Sequence, residues 1–426
     1  MERTSKISGF YKLPPQERLS AVKQYAGLTD EEVATLGNFG TLKADQVDRM
    51  VENVIGVMPV PLGVAVNFLV NGKDYLVPMA IEEPSVIAAA SNAAKMAREK
   101  GGFKTSSTGP VMRGLIQVTG IRDPYNARFS VLSEKQNIMD MANAVDPILV
   151  KFGGGCKDVE AYVKEVPNKP QDTMLIVHLI VDCRDAMGAN AVNTMAETVG
   201  PHLEKITGGK VYLRIISNLA DKRLMRARAV FSKEAIGGED VVDAIVKAYE
   251  FALVDPYRAA THNKGIMNGI SAVTLATGND TRAIEAGAHA YASISGTYKP
   301  LTIYEKNVDG DLVATIELPL AVGLVGGATA SHPTAKASVK ILGVKTASEL
   351  GEVMAAVGLA QNFAALRALA TEGIQRGHMQ LHSRNVAIQA GATGDLIDKV
   401  AEAMVKEKKV RADRAKELLE QFAKTP

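Results

Sequence analysis

The chain has 426 residues, 46% of them hydrophobic and 23% charged, which is typical of a soluble globular protein with two or three domains. Its net charge of +2 and the lack of a concentrated basic stretch argue against nucleic-acid binding. The two cysteines form no CxxC pair, so a disulfide framework is excluded and a cytoplasmic protein is expected.

The amino-terminal part is predicted to form helices followed by a hairpin. It lacks the apolar core of a signal peptide, and no stretch of the chain reaches the roughly 18 consecutive apolar residues of a membrane helix. Asn71-Gly72, between stretches in which apolar and polar residues alternate, predicts a β-hairpin. The helices are predicted at 14–27, 29–37 and 45–55. We therefore expect no membrane association.

The hairpin leads to EEPS (Glu82 to Ser85), which precedes a long Ala-rich helix predicted at 86–100. Proline suits a first helical turn, and carboxylates are stabilised by the positive end of the helix dipole. Helix capping alone therefore accounts for Glu82 and Glu83, and their residue types leave a catalytic role open.

From Pro110 the pattern changes to strands and helices in the order β-α-β-β-α-β. This is the order of the ferredoxin-like, split βαβ fold. We predict an α+β protein in which a helix-rich large domain, 1–109 and 218–376, carries an inserted domain at 110–217. The predicted elements of the insert are strands at 111–121, 158–166, 174–183 and 210–217 and helices at 133–151 and 190–206.

Inside this insert, DAMGAN (Asp185 to Asn190) lies at the turn from a predicted strand to a predicted helix. A glycine at position 188 would let backbone N–H groups at the helix amino terminus meet a phosphate. No GxGxxG motif is present, so a Rossmann fold is unsupported. An ordinary turn remains the alternative.

The stretch from Asp255 to His289 has the composition of a binding site. DPYRAATHNKGIMNG, followed by ATGND and EAGAHA, alternates small residues with cationic and amide side chains, which allows close backbone approach to a ligand. A lysine beside a buried aspartate can stay charged and stabilise a developing oxyanion, which makes Lys264 and Asp280 candidates. Cap and turn residues between helices are the alternative from spacing alone.

The carboxy-terminal part is predicted to contain a hairpin, a long helix at 348–372 and a charged helical module at 377–426. Gly323 to Thr329 forms either a packing loop or a loop that faces a cofactor. Glycines at 373 and 377 bracket a hinge, so the terminal module is a candidate lid. The histidines lack HExxH-like spacing and neither cysteine lies beside a histidine, so neither a metal site nor a cysteine nucleophile is expected.

These motifs, with ENVIG at 52–56, GLAQN at 358–362 and GHMQLH at 377–382, resemble class II 3-hydroxy-3-methylglutaryl-coenzyme A (HMG-CoA) reductases, the soluble prokaryotic form. They occur in the family order and span nearly the whole chain. The resemblance implies an oxidoreductase that interconverts HMG-CoA with mevalonate and CoA in two hydride transfers, through mevaldyl-CoA and mevaldehyde. It also implies an inserted dinucleotide-binding domain and a carboxy-terminal flap.

The resemblance further implies four catalytic residues. Lys264 would stabilise the carbonyl oxygen, Asp280 would hold Lys264, and Glu83 would donate or take the carbonyl proton, its proton affinity raised by burial and Asp280. His378, on the mobile flap, would protonate the departing CoA thiolate. The implied substrate contacts are Ser85, Arg258, Asn268 and Gln361.

For the cofactor, the resemblance makes DAMGAN the dinucleotide-binding loop. Asp146 would meet the adenosine ribose, where a carboxylate accepts a hydrogen bond from a 2′-OH and repels a 2′-phosphate; this favours NADH, with NADPH as the alternative. Simple solvation of Asp146 is the opposing interpretation. The implied loop contacts are Asp185, Met187, Gly188, Asn190, Asn193 and Thr194.

The family also implies a homodimer that completes each active site across its interface, or a larger assembly of such dimers. Two other classes stay open. One is a CoA-thioester lyase or hydrolase on the same fold. The other is a non-catalytic scaffold, against which the joint presence of Glu83, Lys264, Asp280 and His378 argues.

Overall fold

The computed structural model of the protein describes residues 13–26, 28–40, 42–371 and 374–423. Its amino-terminal part is helical around one β-hairpin, and the Asn71-Gly72 turn of that hairpin is confirmed. The elements in this part are α1 Pro15–Ala26, α2 Asp30–Leu36, α3 Ala44–Met50, β1 Leu62–Val70, β2 Lys73–Ala80, α4 Val86–Arg98 and β3 Lys104–Ser107.

The helix predicted at 45–55 is too long, because α3 ends at Met50. Val51 adopts an extended backbone with φ −145°, and residues 51–61 carry no helix or strand. The ENVIG motif therefore lies in an irregular segment that leads into β1.

The segment that follows Pro110 has the predicted order of elements, except that three helices stand between its first two strands where one was predicted. Its four strands pair antiparallel in the spatial order β5-β6-β4-β7, with the two central strands joined by the register Val111↔Asp182 to Val118↔Leu175. This is the strand order of the ferredoxin-like fold, so the α+β fold class is confirmed. The elements are β4 Val111–Thr119, α5 Pro124–Ser133, α6 Lys135–Ala144, α7 Pro147–Lys151, β5 Gly155–Val166, β6 Lys169–Asp182, α8 Ala189–Thr207 and β7 Lys210–Ile216.

The single helix predicted at 133–151 is wrong, since three helices occupy 124–151. Asp123 and Asp146 each accept a hydrogen bond from a backbone N–H at the start of the helix that follows, and Pro124 and Pro147 occupy the first helical positions. Each Asp-Pro pair therefore starts a new helix. Asp146 consequently lies between two helices and not near the end of one.

The chain after the insert builds a second four-stranded antiparallel sheet, β3-β8-β10-β9, and the helices that cover it. Helices α12, α13 and α14 were not predicted. The elements are β8 Leu224–Phe231, α9 Lys233–Ile236, α10 Glu239–Val254, α11 Pro256–Ala276, α12 Thr281–Ala292, β9 Thr302–Lys306, β10 Leu312–Pro319, α13 Gly327–Ser331, α14 Pro333–Leu342, α15 Ala347–Ala370, α16 Ile374–Gln389, α17 Asp395–Lys406 and α18 Ala412–Ala423.

Most of the predicted binding stretch is one continuous helix, α11, and not a series of turns. Two of the family glycines serve helix packing: a Cβ on Gly269 would lie 3.0 Å from Val357, and one on Gly358 would lie 2.7 Å from Ile270. The missing side chains let α11 and α15 approach closely, which brings the polar face of α11 next to α15.

Three hydrophobic cores organise the described residues. The largest surrounds α15 and includes the hairpin β1-β2, the second lies beneath the insert's sheet, and the third joins α16, α17 and α18. By length and composition, α15 is the one described helix that could cross a membrane, but most of it is buried inside the largest core. The domain boundaries at 109/110, 217/218 and 376/377 remain a prediction.

Candidate active site

A cavity of about 550 Å³ opens between α4, α11 and α15. Its wall on α11 is formed by residues spaced three or four apart, which puts them on one face of the helix. The start of α4 supplies a second wall and α15 a third. Six predicted site residues line this cavity: Glu83, Ser85, Arg258, Lys264, Asn268 and Gln361.

Glu83 and Lys264 form an ion pair at the mouth of this cavity. The Nζ of Lys264 donates to Oε2 of Glu83 at 3.0 Å, and Nδ2 of Asn268 approaches the same oxygen at 3.5 Å. The Lys264 side chain is 60% exposed, so it is free to meet a ligand. Capping of α4, the alternative from sequence, does not account for Glu83, because its carboxylate accepts from Lys264 and Asn268 on α11.

Ser85 precedes α4 with a backbone φ of 76°, a left-handed conformation that is rare for a non-glycine residue. Its hydroxyl makes no capping bond to the helix. Strained backbone of this kind is concentrated at functional sites, where the surrounding structure holds it. Here the turn separates Glu83 from the helix and leaves its carboxylate against α11.

Arg258 contributes a half-buried positive charge to the same cavity. Within the described ranges no carboxylate pairs with it, and burial lowers its pKa below the ordinary arginine value. The guanidinium remains charged at neutral pH and presents a planar set of donors. It is therefore suited to bind a carboxylate on a ligand.

Three polar atoms in residues that line the cavity are buried without a hydrogen-bond partner: Oγ of Ser85, Nδ1 of His262 and Oε1 of Gln361. Buried polar atoms are nearly always paired in native proteins. Three unpaired atoms at one cavity indicate hydrogen bonds that a ligand makes. His262 lies in the stretch predicted to bind a ligand, but no role was predicted for it; its position four residues after Arg258 on a helix was the available signal.

Asp280 does not reach this cavity within one chain. It caps α12 through the backbone N–H groups of Arg282 and Ala283 and pairs with the Arg282 side chain at 3.2 Å. Burial raises the pKa of Asp280, but these bonds outweigh burial and the net pKa lies below the ordinary value. Lys264 is 12 residues before the end of α11 at Ala276, roughly 18 Å along the helix axis at 1.5 Å per residue.

His378 belongs to α16 by sequence position, but its side chain lies outside the described residues. The described residues therefore give no distance between the His378 imidazole and the cavity. The role implied for His378 stays a prediction.

A second cavity, of about 570 Å³, lies at the amino terminus of α8 in the insert. The glycine-rich segment after β10, residues 323–329, also borders this cavity, because Val325, Gly326 and Gly327 line it. Both predicted roles therefore apply: the segment faces the cavity, and it also packs against the DAMGAN loop. A Cβ on Gly323 would lie 2.7 Å from the backbone N of Met187. Five predicted cofactor residues line the cavity: Asp146, Met187, Gly188, Asn190 and Thr194.

The second cavity fits a dinucleotide. Gly188 has φ 107°, and a Cβ there would lie 2.3 Å from Sγ of Cys183, so only glycine is tolerated at this turn. The helix that follows has 19 residues, and its free N–H groups and dipole favour a phosphate. One carboxylate oxygen of Asp146 caps α7 by accepting from the N–H of Leu149 at 2.9 Å, and its second oxygen is available to a ligand.

Asp185 and Asn193 make structural hydrogen bonds. The carboxylate of Asp185 accepts from the N–H of Ala347 at 2.8 Å, and Oδ1 of Asn193 accepts from the N–H of Ile216 at 2.8 Å. Neither residue is among those that line the second cavity. They hold the loop and helix that carry the lining residues, and a direct cofactor contact for them stays a prediction.

Comparison with known proteins identifies the family. A family model described as hydroxymethylglutaryl-coenzyme A reductase matches residues 14–383. The chain belongs to this reductase family. The 3-hydroxy-3-methylglutaryl-coenzyme A reductase of Archaeoglobus fulgidus is 65% identical over 419 residues, which cover 98% of this chain and 95% of the relative. A probable reductase of Borreliella burgdorferi is 36% identical over 82% of this chain and 80% of its own length.

Solved structures agree with this family and with its class. The class II 3-hydroxy-3-methylglutaryl-CoA reductase from Streptococcus pneumoniae, bound to NADPH in open conformations, is 38% identical with a TM-score of 0.76; the match covers 96% of this chain and 99% of that one. A second structure of the Streptococcus pneumoniae enzyme has a TM-score of 0.77. The resemblance to class II reductases is confirmed, and the protein is an NAD(P)-dependent oxidoreductase.

In this reductase a buried arginine, also missed by the sequence analysis, joins the insert to the rest of the fold. Arg223 is fully buried and donates to the backbone carbonyl oxygens of Ala186 and Met187, at 3.1 and 3.3 Å, and of Val322. Burial lowers its pKa below the ordinary arginine value. The guanidinium therefore ties the DAMGAN loop to the strand end that leads into the glycine-rich segment.

Nothing in the described part of the reductase offers a group of three or more His, Cys, Asp or Glu that could hold a metal ion. The expectation of a metal-free enzyme remains a prediction.

Burial raises the pKa of Cys156 to about 11 and of Cys183 to about 12, so both are protonated thiols near neutral pH.

Proposed function

We propose that this reductase converts HMG-CoA to mevalonate and CoA in two reductions at the α4–α11–α15 cavity, with NADH as the preferred cofactor. The observation that carries the proposal is the Glu83–Lys264 pair at 3.0 Å in a cavity that also holds the unpaired guanidinium of Arg258. A cation, a proton carrier and a carboxylate receptor are the groups that reduction of an anionic acyl thioester requires.

Each residue has a part in this chemistry. Arg258 binds the free carboxylate of the substrate, and the Ser85 hydroxyl and the Asn268 amide add polar contacts. Lys264 donates to the carbonyl oxygen as negative charge develops there, which is stabilisation by a fixed donor. Glu83 exchanges a proton with that oxygen through its contact with Lys264. Gln361 completes the polar lining.

The nicotinamide, when bound, supplies the hydride for each reduction and accepts it in the reverse direction. The residues that would hold the dinucleotide are those of the second cavity, with the backbone N–H groups at the start of α8 meeting its phosphates. The geometry of the site permits catalysis in either direction, so mevalonate synthesis and mevalonate degradation both fall within the proposal.

A homodimer with shared sites would explain the position of Asp280. The turn that carries it is tied to the cofactor loop, because the N–H of Gly323 donates to Asn279 at 2.8 Å while Gly323 packs on Met187. Asp280 and the cofactor cavity would thus face the Lys264 of a second subunit. Large apolar side chains exposed at Met58, shortly after ENVIG, and at Tyr257, in the first turn of α11, support such an interface.

The proposed NADH preference rests on charge. Among the described residues that line the second cavity, Asp146 is the one with a charged side chain. No lysine or arginine among them is available to bind a 2′-phosphate. The Streptococcus pneumoniae enzyme, in contrast, was solved with NADPH.

In Asp146→Asn, which can still cap α7, we expect the ratio of kcat/KM for NADPH to that for NADH to rise by roughly tenfold. Steady-state kinetics with both cofactors measures this, and an unchanged ratio would exclude Asp146 as the determinant.

His378→Ala tests the flap. Because the proposed role is protonation of the CoA thiolate, HMG-CoA reduction should fall by roughly 10²- to 10⁴-fold while reduction of free mevaldehyde, which releases no thiolate, persists. NADH oxidation with each substrate separates the two. His382→Ala, four residues on in the same helix, is the matched control and should retain both reactions. Equal losses in both reactions for the His378 variant would contradict the thiolate role.

The overall proposal is tested by the absorbance of the reduced nicotinamide. Adding HMG-CoA to enzyme and NADH should remove that absorbance with two NADH consumed for each CoA released. A CoA-thioester lyase or hydrolase would release a product without any change at this wavelength. A binding scaffold would do neither.

A further inference from the structure

A closed hydrogen-bond network surrounds His262 at the floor of the substrate cavity. Nε2 of His262 lies 2.6 Å from the hydroxyl of Thr302, which lies 3.1 Å from Oδ1 of Asn362. Tyr304 donates to the same Oδ1 at 2.9 Å, and Nδ2 of Asn362 donates to the backbone carbonyl of His262 at 3.1 Å. All four side chains are buried.

This network determines which nitrogen of His262 carries the proton. The carbonyl of His262 can only accept, so the Asn362 atom facing it is the NH₂ group, and the Asn362 oxygen therefore faces Thr302 and Tyr304. The Thr302 hydroxyl has one proton, which it donates to Asn362. Its oxygen must then accept from His262, so Nε2 is protonated and Nδ1 carries a free lone pair.

Nδ1 of His262 is thus a hydrogen-bond acceptor without a donor. It is buried and unpaired, and burial lowers the pKa of His262 to about 3, so the imidazole stays neutral across the working pH range. Gly265 lies on the same face of α11 as His262 and leaves open space there. A Cβ at Gly265 would have the Asn362 side chain as its nearest neighbour, at 4.0 Å. A ligand group can enter this space next to the imidazole.

The chemistry of the substrate leaves one partner for this atom. The acyl part of HMG-CoA carries a carboxylate and a thioester oxygen, which only accept hydrogen bonds, and a tertiary 3-hydroxyl, which can donate. The donors of the cavity, Arg258, Lys264, Ser85 and Asn268, suit the first two groups. We propose that Nδ1 of His262 accepts a hydrogen bond from the 3-hydroxyl of the substrate and makes the enzyme selective for 3-hydroxyacyl thioesters. This inference rests on the proposed function.

Selectivity follows from the cost of an unpaired acceptor. A 3-deoxy substrate would fill the cavity but leave Nδ1 without a donor, and a site built to pair a hydroxyl rejects an analogue that lacks it. We expect wild-type kcat/KM for 3-methylglutaryl-CoA to be roughly 10- to 100-fold lower than for HMG-CoA. Because His262 stays neutral, this ratio should be constant between about pH 6 and pH 9.

The test compares both thioesters, with NADH oxidation as the readout, in wild type, His262→Phe, His262→Asn and Tyr304→Phe. His262→Phe should bring the ratio to within about threefold of one, by slowing HMG-CoA and not its 3-deoxy analogue. His262→Asn, whose amide oxygen can replace Nδ1, should recover part of the selectivity. Tyr304→Phe disturbs the same network but leaves the Thr302–His262 bond, so it should keep the wild-type ratio.

Other outcomes overturn the inference. An unchanged ratio in His262→Phe, or equal slowing of both thioesters, would mean that His262 acts through packing or through Arg258. If the variants do not fold, wild-type inhibition constants still decide: 3-hydroxy-3-methylglutarate should bind at least about tenfold more tightly than 3-methylglutarate, and equal constants refute the role. A wild type that oxidises no NADH with HMG-CoA would instead refute the proposed function itself.

Discussion

Replacement of Lys264 by alanine is expected to abolish reductase turnover while the fold persists. Lys264 contacts Glu83, and Arg258, the other cation among the described residues that line this cavity, is assigned to the substrate carboxylate and not to the developing oxyanion. Removing one preorganised donor of this kind costs about 10²- to 10³-fold in kcat, and the accompanying loss of the Glu83 contact adds to it. NADH oxidation with saturating HMG-CoA measures the effect.

The fold should survive this change, because an ion pair with a mostly exposed lysine contributes about 1 kcal/mol or less to the free energy of unfolding. The matched control is Lys247→Ala, which removes another exposed lysine from an ion pair, with Glu250 on α10; neither residue lines the cavity. We expect both variants to melt within a few degrees of wild type, and only Lys264→Ala to be inactive. Wild-type-like turnover in Lys264→Ala would remove Lys264 from the catalytic set.

The inserted fold could be predicted because its signals are local. Alternation of apolar residues and the order of six elements do not depend on distant contacts, and the ferredoxin-like strand order of the structure follows from them. The family motifs predicted the site in the same way: Glu83 lies far in sequence from Arg258 and Lys264 on α11, yet all three line one cavity.

Features that arise only from packing escaped the sequence. The unbroken length of α11, which separates Lys264 from Asp280, is one example. The start of α7 at Asp146 and Pro147 is different, because it has a local capping signal that the prediction from periodicity alone overlooked. The protonation of His262 depends on a chain through Thr302 and Asn362, which come from a strand and a helix elsewhere in the fold. No spacing rule reports such contacts.

A mixture of two inactive variants is expected to regain activity. If Asp280 serves the Lys264 of the partner subunit, then a mixed dimer of Lys264→Ala and Asp280→Asn has one site with both changes and one site with neither. Half of the dimers in a random equal mixture are mixed, so about a quarter of wild-type activity should return. Asparagine at position 280 can still cap α12, which isolates the loss of charge from loss of the cap.

The control for this experiment pairs Lys264→Ala with Glu83→Ala. These two residues touch within one chain, at 3.0 Å, so every cavity of their mixed dimer lacks one of them and no activity should return. Co-expression with two affinity tags isolates the mixed dimers, and NADH oxidation assays then measure their activity. Isolated mixed dimers of the first pair should have about half of wild-type activity, because one of their two sites is intact. Recovery in the first pair and none in the second requires Asp280 to act across the interface. If neither pair recovers, Asp280 either acts on its own chain after a large movement or has no part in the reaction, and the shared-site proposal is wrong.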